Sequence, residues 1–346
     1  MSLADAPAGR TILTHFSREA DGGVYVTFRG TEYFSEEWRT PVDFAVWCLV
    51  QQFPEGWYEE QRSKPDREMH PLARWYRTYL EFKLEYDRTP NTTPLASYMP
   101  GHAKAFVLLA INHYVLGFHD VVIAKQVRDL FNPRQFQGAL YEICVLAGVQ
   151  RANFSLATEN ESDNTKKHPE AIATHPLHPG LIAIEAKSIH RNGVFNFADG
   201  TPVPSLDRID QEFVDFVVRQ MAKQIEATIP KISDKAMFLF IDLNLPVQVA
   251  MHVVTQWQQK VEKVLNSLDP WRDETGAFIG RKINMITVSN LGLSSMDSSI
   301  GSSDFLHFYF APSARECLHP LASALVPQLK AAFSSYGTYV EHDGIQ

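Results

Sequence analysis

Two carboxylates and an amine stand close together in the stretch from Pro169 to Lys187, PEAIATHPLHPGLIAIEAK. Gathered on one face, these residue types can hold a divalent cation beside a phosphate. The run 181–188 is apolar apart from Glu185, Lys187 and its terminal Ser188, follows Pro179 and Gly180, and reads as a mostly buried strand. Side chains alternate along a strand, so Leu181, Ala183, Glu185 and Lys187 share one face while Ile182, Ile184 and Ala186 take the other. A short strand over 170–175 precedes it, joined through His-Pro-Leu-His-Pro-Gly. A hairpin centred between Leu177 and His178 sets Glu170 directly opposite Glu185, with Cβ atoms about 4.5–5.5 Å apart, close enough to share one ion. A slip of one residue removes the pairing. The alternatives are a salt-bridged strand end for Glu185 and Lys187, and an ordinary polar strand start for Glu170.

Elements on either side must carry this hairpin. The pattern predicts a helix over 133–147 bearing Glu142, then a strand over 149–156, a polar loop TENESDNTKKH, and the hairpin. A strongly periodic helix follows over 207–227, with Phe213, Phe216, Val217, Met221 and Ile225 on one stripe and Gln220 and Gln224 one turn apart, able to reach a phosphate but more in keeping with ordinary exposed helix glutamines. Beyond it come a strand over 236–243, a helix over 247–268, strands over 283–289 and 305–310, and a helix over 320–335. The Ser-rich stretch SNLGLSSMDSSIGSSD has few core-forming residues and reads as a loop. This order gives an α/β fold, a mixed sheet flanked by helices. Residues 1–130 read as a mainly helical N-terminal region after the extended piece GGVYVTFRG, with helices over 102–118 and 121–130; the α/β domain with a C-terminal extension occupies 131–346.

Composition narrows the partners. The 346 residues are 45% hydrophobic with a formal net charge of −8, so a whole surface built to grip nucleic acid is not expected, although Arg151, Lys166, Lys167, Lys187, Arg191, Arg208, Arg219 and Lys223 allow a local basic groove. No secretion signal or bilayer-length apolar run stands in the sequence, which gives the expectation of a soluble cytoplasmic protein with no membrane partner. Cys48, Cys144 and Cys317 lack CxxC spacing and read as buried apolar packers. There is no GxSxG elbow and no GxxxxGK[ST] loop, so serine hydrolases and P-loop NTPases gain no support.

A helix with Glu142, a strand, Pro169-Glu170, the triplet Glu185-Ala186-Lys187 and a helix with Gln220 and Gln224, taken together over roughly 131–245, resemble the PD-(D/E)xK restriction-endonuclease-like superfamily. The resemblance implies a restriction-endonuclease-like core that binds Mg²⁺ or Mn²⁺ through its acids and hydrolyses nucleic-acid phosphodiesters, DNA more often than RNA. It sets Glu170 at the aspartate position, Glu185 at the second acidic position, Lys187 at the lysine and Glu142 as the supporting helix acid, so the expected metal ligands are Glu170, Glu185 and Glu142. A glutamate stands where the pattern has aspartate, and the extra methylene moves that carboxylate outward by about one bond length, against the tight octahedral geometry of Mg²⁺.

With such a cation in place, Lys187 orients the attacking water and offsets charge developing on the phosphate, and Gln220, Gln224 and Arg191 are candidate phosphate contacts. Two further readings remain at this level. One keeps the fold as a non-catalytic binding or assembly subunit, which the acidic net charge and the Glu-for-Asp exchange favour, and the N-terminal region leaves room for a homodimer. The other is a transition-metal protein using His168, His175 and His178, with His190 just beyond; the spacing matches no zinc motif, and a strand over 170–175 places His175 on the face opposite Glu170.

Overall fold

The computed structural model describes residues 15–18, 24–28, 31–38, 40–88, 99–117, 120–157, 168–189, 191–192, 201–202, 211–231, 235–245, 250, 252–257, 267, 270–272, 274–281, 283–290, 305–310 and 319–334. A three-stranded antiparallel sheet comes first: β1 (His15–Arg18), β2 (Val24–Phe28) and β3 (Thr31–Ser35). The extended piece predicted here is its central strand. Helices α1 (Pro41–Val50), α2 (Trp57–Arg62), α3 (Pro71–Arg88), α4 (Gly101–Leu116), α5 (Asp120–Leu130) and α6 (Phe136–Arg151) follow. Thr40 and Asp43 fix the start of α1: the Thr40 N–H donates to Asp43 Oδ2 at 2.8 Å, and Pro41 supplies a first-turn φ that suits a helix.

Helix α6 starts three residues later and ends four residues later than its pattern predicts, because Val149 continues the buried helix rather than opening a strand. What stops it is Asn153, held at φ 73°, with the Asn153 N–H on the Gln150 carbonyl at 3.0 Å and the Phe154 N–H on the Val149 carbonyl at 3.3 Å. This pair of bonds is a Schellman ending, with asparagine in the left-handed position usually taken by glycine. The predicted strand over 149–156 is therefore corrected to the short β4 (Ser155–Ala157).

The remaining strands are β5 (Ala171–His175), β6 (His178–Ser188), β7 (Arg191–Asn192), β8 (Thr201–Pro202), β9 (Ala236–Asp242), β10 (Pro270–Arg272), β11 (Phe278–Arg281), β12 (Ile283–Asn290) and β13 (Phe305–Phe310). A mixed six-stranded sheet has the order β13-β12-β9-β6-β5-β4. Strands β6, β9 and β12 run parallel, and β4, β5 and β13 pair antiparallel at the flanks. The parallel pair β6 and β9 is joined across α7 (Gln211–Thr228), which ends in a 3₁₀ turn at Ile229–Lys231; α8 (His319–Ser334) closes the described chain. Of the Ser-rich stretch 289–304, Ser289 and Asn290 end β12 and 291–304 lie outside the described residues, as does most of the helix predicted over 247–268, of which 250, 252–257 and 267 are helical.

Both faces of this sheet are covered, which explains why β9 and β12 are buried along their whole length. On one face Ile182, Ile184, Ala186, Phe238, Phe240 and Met285 pack with α6 and α8, and that cluster runs on without a break into α1, α3, α4 and α5. The apolar core thus continues across residue 130. On the other face Ala183, Leu239, Ile241 and Ile286 pack with Val214, Val217, Met221 and Ile225 of α7 and with Val253 and Trp257. Helices α4 and α6, apolar nearly all round, form a buried middle layer. Gly148 lets α6 and α8 approach: a Cβ built there would stand 2.5 Å from Phe333 Cζ.

Candidate active site

The hairpin holds the register that brings its acids together. Ala171 faces Ile184, Ile172 faces Ala183 and Ala173 faces Ile182, so Glu170, one residue before β5, stands opposite Glu185. The tip differs from the symmetric expectation. His175 pairs with His178 around a tight Pro176-Leu177 turn, and the residues 179–181 then stand against Thr174 alone, an irregularity that restores the deeper register. Glu185 is wholly buried and Glu170 nearly so.

Charge compensation is dense. The Lys187 ammonium lies 2.5 Å from Glu185 Oε1 and 3.4 Å from Glu170 Oε1. Lys231, from the turn after α7, lies 2.6 Å from Glu185 Oε1 and 3.8 Å from Glu170 Oε1. On the far side of Glu170, Lys125 of α5 reaches Oε2 at 3.4 Å. The neighbouring Gln126 joins the helix acid to the hairpin: its amide N–H group donates to Glu142 Oε2 at 3.2 Å and to Glu170 Oε2 at 3.4 Å.

Burial and charge set the protonation states. Desolvation, reinforced by the negative charge of Glu170, pushes the Glu142 carboxyl up to about 8, so it carries its proton at neutral pH. Burial acts in the same direction on Glu170, but Lys187, Lys125 and Lys231 together outweigh it and hold that carboxyl below its ordinary value. For Lys187 desolvation opposes the charged form; Glu185 and Glu170 win, and the ammonium is held well above the usual lysine range.

These groups form the floor of a cleft of about 590 Å³ between α5 and α6 on one wall and α7 with its 3₁₀ turn on the other. Glu142, Glu170, Lys187, Gln220 and Gln224 all line it, together with Lys125, Lys231, Asp129, Gln135 and Ser188. Of the expected site residues the structure thus collects Glu142, Glu170, Glu185, Lys187 and both glutamines. Arg191 lies in β7, and its side chain falls outside the described residues. Lys125, Gln126 and Lys231 are the residues that sequence reasoning misses. Lysine and glutamine on amphipathic helices, or after an Ile-Pro step, carry no signal that separates a cleft wall from a solvated face.

The donors a divalent cation would need here are the carboxylates of Glu170 and Glu185. Among the described residues no three His, Cys, Asp or Glu side chains make a group that could hold a metal ion by themselves. The fit rests on the pair: the ammonium groups of Lys187 and Lys231 mark a position where positive charge meets one oxygen from each of Glu170 and Glu185. The other Glu185 oxygen, Oε2, is buried with no hydrogen-bond partner. An unpaired buried carboxylate oxygen is costly, and among the four oxygens of Glu170 and Glu185 it is the one that no described group meets, so a divalent cation would have to reach it to find an untaken donor.

His175 lies on the other side of the sheet. His175 Nδ1 accepts from the Leu177 N–H at 3.1 Å, its Nε2 meets Gln328 Oε1 at 3.1 Å, and its ring lies against Phe154, on the sheet face turned away from Glu170. His168 is half-buried; the side chain of His178 and all of His190 fall outside the described residues. Cys144 is buried and Cys48 half-buried, as expected of packing residues, while Cys317 lies outside. No described helix is long and apolar enough to cross a membrane. No protein-family model, curated protein or solved structure matches the chain.

Proposed function

We propose that this chain is a metal-dependent nuclease that hydrolyses nucleic-acid phosphodiesters, with DNA as the favoured substrate, at the cleft lined by Glu170 and Lys187, with Glu185 buried directly behind them. The observation that carries the reading is the convergence of two carboxylates from paired strands on one lysine ammonium, at 3.4 and 2.5 Å, at the bottom of an open cleft. A Mg²⁺ or Mn²⁺ ion held by Glu170 and Glu185, with Glu142 in support, supplies Lewis acidity toward the phosphate and lowers the pKa of a bound water.

The chain's own residues do the rest. Lys187 stays charged because two acids flank it, and, lining the cleft, it has one N–H beyond those two bonds with which to orient a water and offset charge on a phosphoryl oxygen. Glu142, protonated at neutral pH, offers a hydrogen bond now and a carboxylate when further positive charge arrives. Gln220 and Gln224 stand one turn apart on the α7 wall, where their amides meet the backbone of a strand lying in the cleft. The buried setting of Glu185 keeps bulk water from weakening these charges.

The test is a panel of labelled single- and double-stranded DNA and RNA oligonucleotides incubated with Mg²⁺ or Mn²⁺. Wild-type protein is expected to cut at least one class, and Lys187→Ala or Glu185→Gln to slow cleavage by about 10²-fold or more while the fold survives. No cleavage of any substrate by wild-type protein overturns the reading. A second reading, a non-catalytic subunit of the same fold, draws support from the compensation of Glu170 and Glu185 by Lys125, Lys187 and Lys231, which leaves a cleft able to hold a phosphate without a metal. Oligonucleotide binding that is equally tight with EDTA and with Mn²⁺, and is never followed by cleavage, is the outcome that selects it.

A further inference from the structure

We infer that Ser188 is a neutral phosphate donor of the cleft, its hydroxyl proton turned toward a phosphoryl oxygen because Asn244 donates to the hydroxyl from behind. This rests on the reading of the cleft as a phosphodiester site, and it adds a contact that carries no charge and calls for no metal.

Ser188 is the last residue of β6, directly after Lys187. Side chains alternate along a strand, so the two leave it on opposite faces, and both line the cleft. A phosphodiester at the strand end therefore meets an ammonium from one side and a hydroxyl from the other. The direction of that hydroxyl follows from its partner. Buried Asn244 donates one Nδ2–H to Ser188 Oγ at 2.7 Å and the other to the Ile189 carbonyl at 3.3 Å. A carbonyl only accepts, so the second bond fixes which end of the amide is nitrogen, and Ser188 is the acceptor in the first. Its own proton then points elsewhere. Among the described residues none accepts it: Asp242, the register neighbour of Ser188 on β9, meets the hydroxyl of Ser289 at 3.3 Å instead. A hydroxyl that accepts from a buried amide and keeps its proton uncommitted at a cleft wall is a donor to an anion lying there.

Asn244 is itself held in place. Its φ of 51° lies in the left-handed region, which asparagine tolerates better than most residues. The next residue is clamped by the Asn290 side chain at the end of β12: the Leu245 N–H donates to Asn290 Oδ1 at 2.9 Å, and Asn290 Nδ2 donates to the Leu245 carbonyl at 2.8 Å. The amide thus reaches Ser188 from a segment tied to the sheet. Asn244 acts as a positioning residue, and Ser188 is the group that touches the substrate.

Fluorescence anisotropy of a labelled single-stranded DNA oligonucleotide in EDTA tests this. Ser188→Ala is expected to weaken binding about tenfold, as suits a lost hydrogen bond to a charged acceptor, while Ser188→Thr stays within about threefold of wild type. Because the lost group is neutral, the slope of affinity against salt is expected to stay unchanged in Ser188→Ala, whereas a disturbed lysine would lower it. Asn244→Gly keeps the left-handed backbone and removes the amide; it is expected to weaken binding severalfold alone and to add nothing in the Ser188→Ala background. A merely structural asparagine would cost affinity in both backgrounds. Equal affinity of Ser188→Ala and wild type, or an Asn244→Gly loss that persists without Ser188, overturns the assignment and leaves the nuclease reading standing. Wild-type protein that binds only with Mn²⁺ present overturns it as well, and one that binds under neither condition overturns both. A Ser188 effect in a protein that never cleaves with Mn²⁺ upholds this contact and ends the nuclease reading.

Discussion

Glu142 shows most clearly how a single residue's setting decides its chemistry. It is the one acidic side chain in α6, a helix otherwise apolar nearly all round, and burial beside Glu170 raises its carboxyl to about 8 from the ordinary glutamate value of about 4.5. The folded chain therefore holds a proton between those values that the unfolded chain has lost, so the group costs stability as pH rises through that window and levels off above it. In EDTA, Glu142→Gln is expected to gain in melting stability relative to wild type as pH rises from about 5 to about 9, on the order of 4 kcal/mol across the window. A difference independent of pH would show that Glu142 is ordinarily ionised. Glu170, Glu185 and Lys187 were legible in the sequence because a charged pair interrupts an apolar strand. Lys125, Gln126 and Lys231 were not, since each belongs to a segment whose polarity is unremarkable alone and they meet the acids only through tertiary packing.

Among the elements, the hairpin and α6 carry the site, and they were legible to different degrees. The register of the β5 and β6 pairing follows from apolar alternation, Ile182 and Ile184 facing one layer and Ala183 the other, and that alternation tolerates the irregularity near the tip. The end of α6 was misread because Val149 and the apolar residues around it suit a strand as well as a buried helix, and the stop signal is one asparagine in a left-handed conformation. Packing between α6 and α8 hinges on Gly148, where an added Cβ would meet three Phe333 ring atoms at 2.5 to 2.7 Å. Helix propensity alone would reward Gly148→Ala with about 1 kcal/mol; the crowding is expected to reverse the sign and lower stability by about 1–2 kcal/mol in urea unfolding. Adding Phe333→Leu should recover part of that loss in a double-mutant cycle, and a Gly148→Ala protein more stable than wild type would contradict the close approach.

At the scale of the molecule, alternating helix and strand patterns after residue 131 announced an α/β sheet with helices on both faces, and the structure has one. The N-terminal sheet was legible only at β2, because β1 has only four residues and β3 is largely exposed, without a buried apolar alternation. Nothing in the sequence said how closely the helical region would join the α/β part, since shared burial of Phe106, Phe136 and Phe240 in one core is a property of packing. A chain of net charge −8 that gathers Lys125, Lys187 and Lys231 in one cleft concentrates its attraction for phosphate there. The central claim is that Glu170 and Glu185 share one divalent cation beside Lys187. Anomalous diffraction from Mn²⁺-soaked crystals tests it most directly: the account predicts a single peak about 2.0–2.6 Å from an oxygen of each carboxylate, and a peak at His175 instead, or none in the cleft at saturating Mn²⁺, would contradict it.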